Sequence, residues 1–233
     1  MARFRRLVAS GALAGLLVGL LLTAIQSVTI YPLLRAAEVY EAAAEPHDHP
    51  GHEGHGAAPD WEPAPGLERL GFSALTNVVV GTGYALLLTG LFALRDGPVG
   101  ARRGVLWGAA GFACFTLAPA LGLSPALPGA GEAALGARQL WWVLAAAATA
   151  AGLAVLVRGG WRAAPLALAL LAFPHLIGAP HADGAASAAP AELAQRFVVA
   201  SLGTSALFWL LLGGSAGWLY DLAARRAPPA GAR

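Results

Sequence analysis

The chain of 233 residues has no lysine, one cysteine and one methionine, and only 12% of its residues are charged. Each shortage excludes something. Without lysine there is no G-x-x-x-x-G-K-[ST] loop, so the polypeptide does not hydrolyse ATP by a P-loop mechanism. Cys114 alone rules out a disulfide framework within one chain and leaves no thiolate metal site. Met1 is the only methionine, so a thioether path for Cu(I) is missing as well. The charged share falls far below the roughly 25% of a soluble globular domain.

What fills the chain instead is apolar: 57% of it is hydrophobic, with a mean hydropathy of +0.61. Several runs reach the ~20 residues that a helix needs to cross hydrocarbon. We therefore expect an all-α, polytopic integral membrane bundle forming one domain over 1–233. Its transmembrane helices are expected at about 7–31, 73–94, 104–123, 140–157, 163–178 and 198–220. The fifth is short and bracketed by Pro165 and Pro174; if it only re-enters the bilayer, the count is five. The first run follows Arg3, Arg5 and Arg6 and is longer than the h-region of a signal peptide, which favours a helix that stays. Along it Gly11, Gly15 and Gly19 recur every four residues, either a small-residue face on which another helix could pack or simply the glycine common in membrane helices.

Every basic residue is an arginine flanking an apolar run, so the basic pI reflects topology and implies no nucleic-acid partner. Six helices with a cytoplasmic N-terminus place eleven arginines inside (Arg3, Arg5, Arg6, Arg95, Arg102, Arg103, Arg158, Arg162, Arg225, Arg226, Arg233) and four outside (Arg35, Arg69, Arg138, Arg196). That asymmetry predicts both termini in the cytoplasm. It also sets Trp107, Trp161, Trp218 and Tyr220 near the inner interface and Tyr31, Trp141 and Trp142 near the outer, as an aromatic belt.

The one long hydrophilic stretch, 32–71, is then an external loop. At its centre EPHDHPGHEGHG carries His47, His49, His52 and His55 among prolines and glycines that break both helix and strand. Neutral imidazoles suit zinc, copper, nickel or cobalt, and Asp48 and Glu53 add oxygen donors. Before it, AAEVYEAAAE puts Glu38, Glu41 and Glu45 on one face of a short helical lead-in, a liability unless a cation sits among them. The remaining histidines, His175 and His181, lie in FPHLIGAPHADG, turned by Gly178 and Pro180 toward the same outer mouth. Against these functional readings stand ordinary ones: a solvated helix end for the glutamates, an interfacial hydrogen bond for His175, an exposed position for His181. Pro119, Pro125 and Pro128 kink the end of the third helix or free a carbonyl there. Thr76, Asn77 and Thr82 are oxygen donors that more often glue helices than bind ions.

Five segments in order resemble the CbtA family of predicted cobalt transporter subunits. They are AEVYE (Ala37–Glu41), the histidine loop (His47–His55), VVVGTGYALLL (Val78–Leu88), LAPALGLSPALPG (Leu117–Gly129) and FPHLIGAPH (Phe173–His181). The resemblance implies cobalt uptake for cobalamin synthesis in the inner membrane of a bacterium, with a small, single-helix, histidine-bearing CbtB-type partner subunit. One departure is that the approach to Pro119 offers only Thr116 as a polar group, which weakens a metal role for that helix. On this expectation the loop captures a divalent ion and passes it to a site formed by His175, His181 and Glu38. The ion is a transported substrate and no cofactor is permanently bound; the chain is not an enzyme. Ligand chemistry does not select cobalt over nickel or zinc. Two other readings compete: a non-transporting metal-binding accessory subunit, and a membrane redox protein with His175 on a haem, which needs a second intramembrane histidine.

Overall fold

A computed structural model describes residues 2–44, 63–64, 66–95, 99–131, 133–181 and 188–226, and all regular structure among them is helical. α1 (Ala2–Thr29) stops because Pro32 has no N–H to continue the ladder. The chain turns at Ile30, whose carbonyl accepts from the N–H groups of Leu33 and Leu34 at 3.1 Å each, and restarts as α2 (Tyr31–Ala44). The expected first helix therefore ends earlier, and the lead-in to the loop is a helix in its own right. α3 (Leu67–Ala93) begins after Gly66, held at φ +100, and the Glu68 carboxylate reaches back to accept from the Ala64 N–H at 3.2 Å.

The third expected helix runs from 101 to 120 in three pieces: α4 (Ala101–Phe112), a π-helical segment (Ala113–Leu117) and the single turn α5 (Ala118–Ala120). Pro119 explains the break, since it withholds its N–H and crowds the preceding turn. The ladder widens so that Ala118 N–H reaches Ala113 O, five residues back. α6 (Leu135–Gly159) and α7 (Ala164–Ile177) follow, joined by a 3-10 turn (Gly160–Ala163) with Gly160 at φ +61. α8 (Ala191–Arg225) closes the bundle.

Among the described residues four stretches are long and apolar enough to cross a membrane: Phe4–Thr29, Leu67–Ala93, Leu135–Ile177 and Ala191–Arg225. The third of these is a hairpin, because Gly152 packs on Ala167 and Leu171 while Trp141 meets Pro174 and His175. The expected fifth helix is thus the return leg of α6. Its 14 residues span about 21 Å, short of a ~30 Å hydrocarbon core. The molecule is an all-helical membrane bundle.

Legs that follow one another in the chain run antiparallel, whereas α3 and α8 lie side by side in parallel, Tyr84 against Trp209 and Phe92 against Tyr220. Arg6 Nη1 donates to Ala223 O at 3.1 Å and Ser10 Oγ to Leu219 O at 3.4 Å, so the start of α1 and the finish of α8 share one end. That end also carries Arg102, Arg103, Arg158 and Arg162, whereas Glu38, Arg69, His175 and His181 lie at the opposite one.

Close backbone approach holds the core together, as expected where lipid offers no hydrophobic drive between helices. A Cβ on Gly19 would come within 2.7 Å of Asn77 O, and one on Gly11 within 2.9 Å of Leu86 Cδ2, so the α1 glycine face does pack on α3. A second crossing pairs Gly104 and Gly108 of α4 with Gly213 and Gly217 of α8. Trp209 fills the middle of the bundle: its ring stacks on Phe115 at 5.5 Å and touches Tyr84 at 4.6 Å. Nearer the arginine end Phe92 meets Trp107 and Tyr220 edge-on.

Candidate functional site

α7 ends where its sequence runs out of helix-compatible residues. Pro174 withholds an N–H inside the last turns, and Gly178, at φ +88, leaves the helical region. The Pro174 carbonyl accepts from Gly178 N–H and from the indole Nε1–H of Trp141, both at 3.2 Å. His175, half-buried, lies next in the chain, and its imidazole meets the Trp141 ring at 5.7 Å in an edge-to-face arrangement.

Trp141 is only 5% exposed, which corrects its expected place in an aromatic belt. Trp161, at 80% exposed, does face outward at the hairpin tip, with the Arg162 guanidinium 5.7 Å from its ring. The indole of Trp141 also covers Gly122, where an added Cβ would meet its ring and, at 2.9 Å, the Cβ of Ala179. The LGLSPALPG and PHLIGAPH segments therefore touch one another across this tryptophan.

Beside the contact lies an open cleft of about 580 Å³, lined by Ser124 from the first segment, Pro180 and His181 from the second, and Arg138, Gln139 and Trp142 from α6. His181 is exposed at its rim. The two histidines are thus carried to the same end of the bundle, His175 against Trp141 and His181 on the cleft.

Glu38 has a different neighbour. Arg69 Nη1 donates to its Oε1 at 2.7 Å, tying α2 to the start of α3, with side-chain exposures of 43% for Glu38 and 34% for Arg69. It is Glu41, one turn on, that leans over the connector: its Oε1 lies 3.2 Å from where Gly129, at φ +73, would carry a Cβ. Gly131 and Ala133 of that connector line the cleft, so α2 packs on the connector that walls it. Among the described residues no three His, Cys, Asp or Glu side chains gather in a metal-binding group, and Glu38, His175 and His181 are not brought into one. His47, His49, His52 and His55 lie outside the described residues.

Asn77 and Thr116 are engaged in joining helices. Asn77 Nδ2 donates to Thr23 Oγ1 at 3.0 Å and Gln26 Oε1 at 2.8 Å, joining α3 to α1. Thr116 Oγ1 accepts from Trp209 Nε1 at 3.1 Å, so the sole polar group before Pro119 is committed to packing. In the sequence Trp141 and Arg138 read only as markers of the outer interface, and Gln139 carries no signal. The position of Trp141 at the start of an apolar run is one that an interfacial tryptophan shares.

A family model described as "Probable cobalt transporter subunit (CbtA)" matches residues 4–221, nearly the whole chain. No curated protein and no solved structure matches it.

Proposed function

Because this chain belongs to the CbtA family of probable cobalt transporter subunits, we propose that it carries cobalt inward across a bacterial inner membrane, together with a single-helix, histidine-bearing CbtB-type partner. The family match is the observation that carries the reading. The arginine-rich end faces the cytoplasm with both termini, as the positive-inside bias requires, and the histidine end faces out.

His47, His49, His52 and His55 collect the ion outside and raise its concentration at the mouth. Support for a hand-off comes from α2, which leads into the loop and leans with Glu41 on the connector that walls the cleft of His181. From there the ion passes to His181 and His175, with Glu38 joining when Arg69 releases it. The membrane potential suffices as a drive: each charge moving inward gains ~2.3 kcal/mol per 100 mV, and a divalent ion about twice that. Selectivity for cobalt over nickel or zinc rests on geometry and supply rather than on intrinsic affinity.

One observation favours a second reading, a non-transporting accessory subunit: the described residues contain no gathered set of three ligands. Competition among Co²⁺, Ni²⁺ and Zn²⁺ for uptake, with and without the partner subunit, separates the two. The transport reading expects accumulation that needs this chain, prefers cobalt, and falls in His175→Ala and on deletion of residues 46–56. Accumulation independent of all three changes contradicts it.

A further inference from the structure

Trp141 stands where both segments of the histidine end converge, and nothing in the reading above uses it. A belt tryptophan would turn its N–H to headgroups or water. This one is buried and spends its N–H on the carbonyl of Pro174, the residue immediately before His175. The bond matters because of where it falls. Pro174 cannot donate to the turn before it, and Gly178 ends the helix four residues later, so the turn bearing His175 has fewer backbone bonds than an ordinary one. The indole adds a bond from outside the helix to that turn, and its ring lies against the imidazole at 5.7 Å. Through its Cζ2 and Cη2 atoms the same ring is wedged over Gly122, the one residue type that leaves room for it.

We infer that Trp141 is a positioning residue for His175, fixing the last turn of α7 through the Pro174 carbonyl and holding the imidazole at the mouth. Its consequence for transport rests on the proposed function; the positioning itself does not. Two substitutions disturb it by independent routes. Trp141→Phe keeps a ring and deletes the N–H. Gly122→Ala keeps the N–H but sets a methyl against the Cη2 and Cζ2 atoms of the indole, pushing it from its seat.

The test is the rate of carbethoxylation of His175 by diethyl pyrocarbonate in the full-length protein, read by mass spectrometry, with the histidines of residues 47–55 as internal reference. Trp141→Phe should raise the His175 rate about fivefold, the population change that loss of one typical buried hydrogen bond allows. Gly122→Ala should raise it as well, and add less in the Trp141→Phe background than alone, because phenylalanine lacks the indole atoms that the methyl strikes and only the contact with Ala179 Cβ remains. In uptake assays both variants should raise KM for cobalt with Vmax kept. Unchanged His175 reactivity in both single variants overturns the inference, as does a rise shared equally by the reference histidines. If the wild type takes up no cobalt while His175 responds as described, the transport reading fails and the positioning role stands.

Discussion

Gly104 on α4 and Gly213 on α8 touch backbone to backbone: a Cβ built on either one lands on the carbonyl oxygen of the other. Nothing flexible stands between them, so the helices must separate to admit even a methyl. Gly213→Ala is expected to cost ~1–3 kcal/mol, the usual range for overpacking. Gly83 on α3 is the control, since its added Cβ would meet nothing. Gly83→Ala should be neutral or raise stability by up to ~1 kcal/mol through helix propensity. Thermal unfolding in detergent compares the pair, and equal effects would show that the α4/α8 crossing is loose.

Asn77 ties α3 to α1 through Thr23 and Gln26. Hydrogen bonds between membrane helices are worth ~0.6 kcal/mol on average and seldom above ~1.7. Asn77→Leu should therefore lower stability by about 1 kcal/mol and leave the KM for cobalt unaltered. A large rise in KM at unchanged stability would make Asn77 part of the ion path instead.

Much of this architecture is legible in the sequence, because hydropathy marks the apolar stretches that become helices and arginine placement separates their two ends, although the breaks at Pro32 and Pro119 divide two of them. The glycine repeat at 11, 15 and 19 offered a packing face without naming its partner, which is α3. What escaped depends on contacts between distant residues. Gly213 and Gly217 look like common membrane glycines until Gly104 and Gly108 are seen against them. Trp141 and Trp161 both border apolar runs, yet one is buried over Gly122 and the other juts from the hairpin tip. Periodicity likewise placed three glutamates on one face of the lead-in without revealing that Arg69, far along the chain, claims Glu38.

That claim can be tested directly. The Glu38–Arg69 pair is partly exposed and should contribute under ~1 kcal/mol to stability. If Glu38 serves the ion once released, Arg69→Gln frees the carboxylate and lowers the KM for cobalt, whereas Glu38→Gln raises it. Uptake kinetics that ignore both substitutions would leave Glu38 a purely structural tie.

Capture by the loop should depend on pH in a definite direction. Imidazole binds a metal only when neutral, so protonation below a pKa near ~6.5 competes with the ion. A peptide of residues 38–70 should bind cobalt well at pH 8 and progressively less toward pH 5. Binding constant over that interval, measured by calorimetry, would refute ligation by His47, His49, His52 and His55.

Import through the histidine end requires that end to face out of the cytoplasm. The native Cys114 is buried, so a Cys114→Ser background with His52→Cys provides a single reporter thiol. A membrane-impermeant maleimide applied to intact spheroplasts should label that thiol before lysis. Labelling that appears only after the membrane is broken would put the loop in the cytoplasm and contradict import through this end.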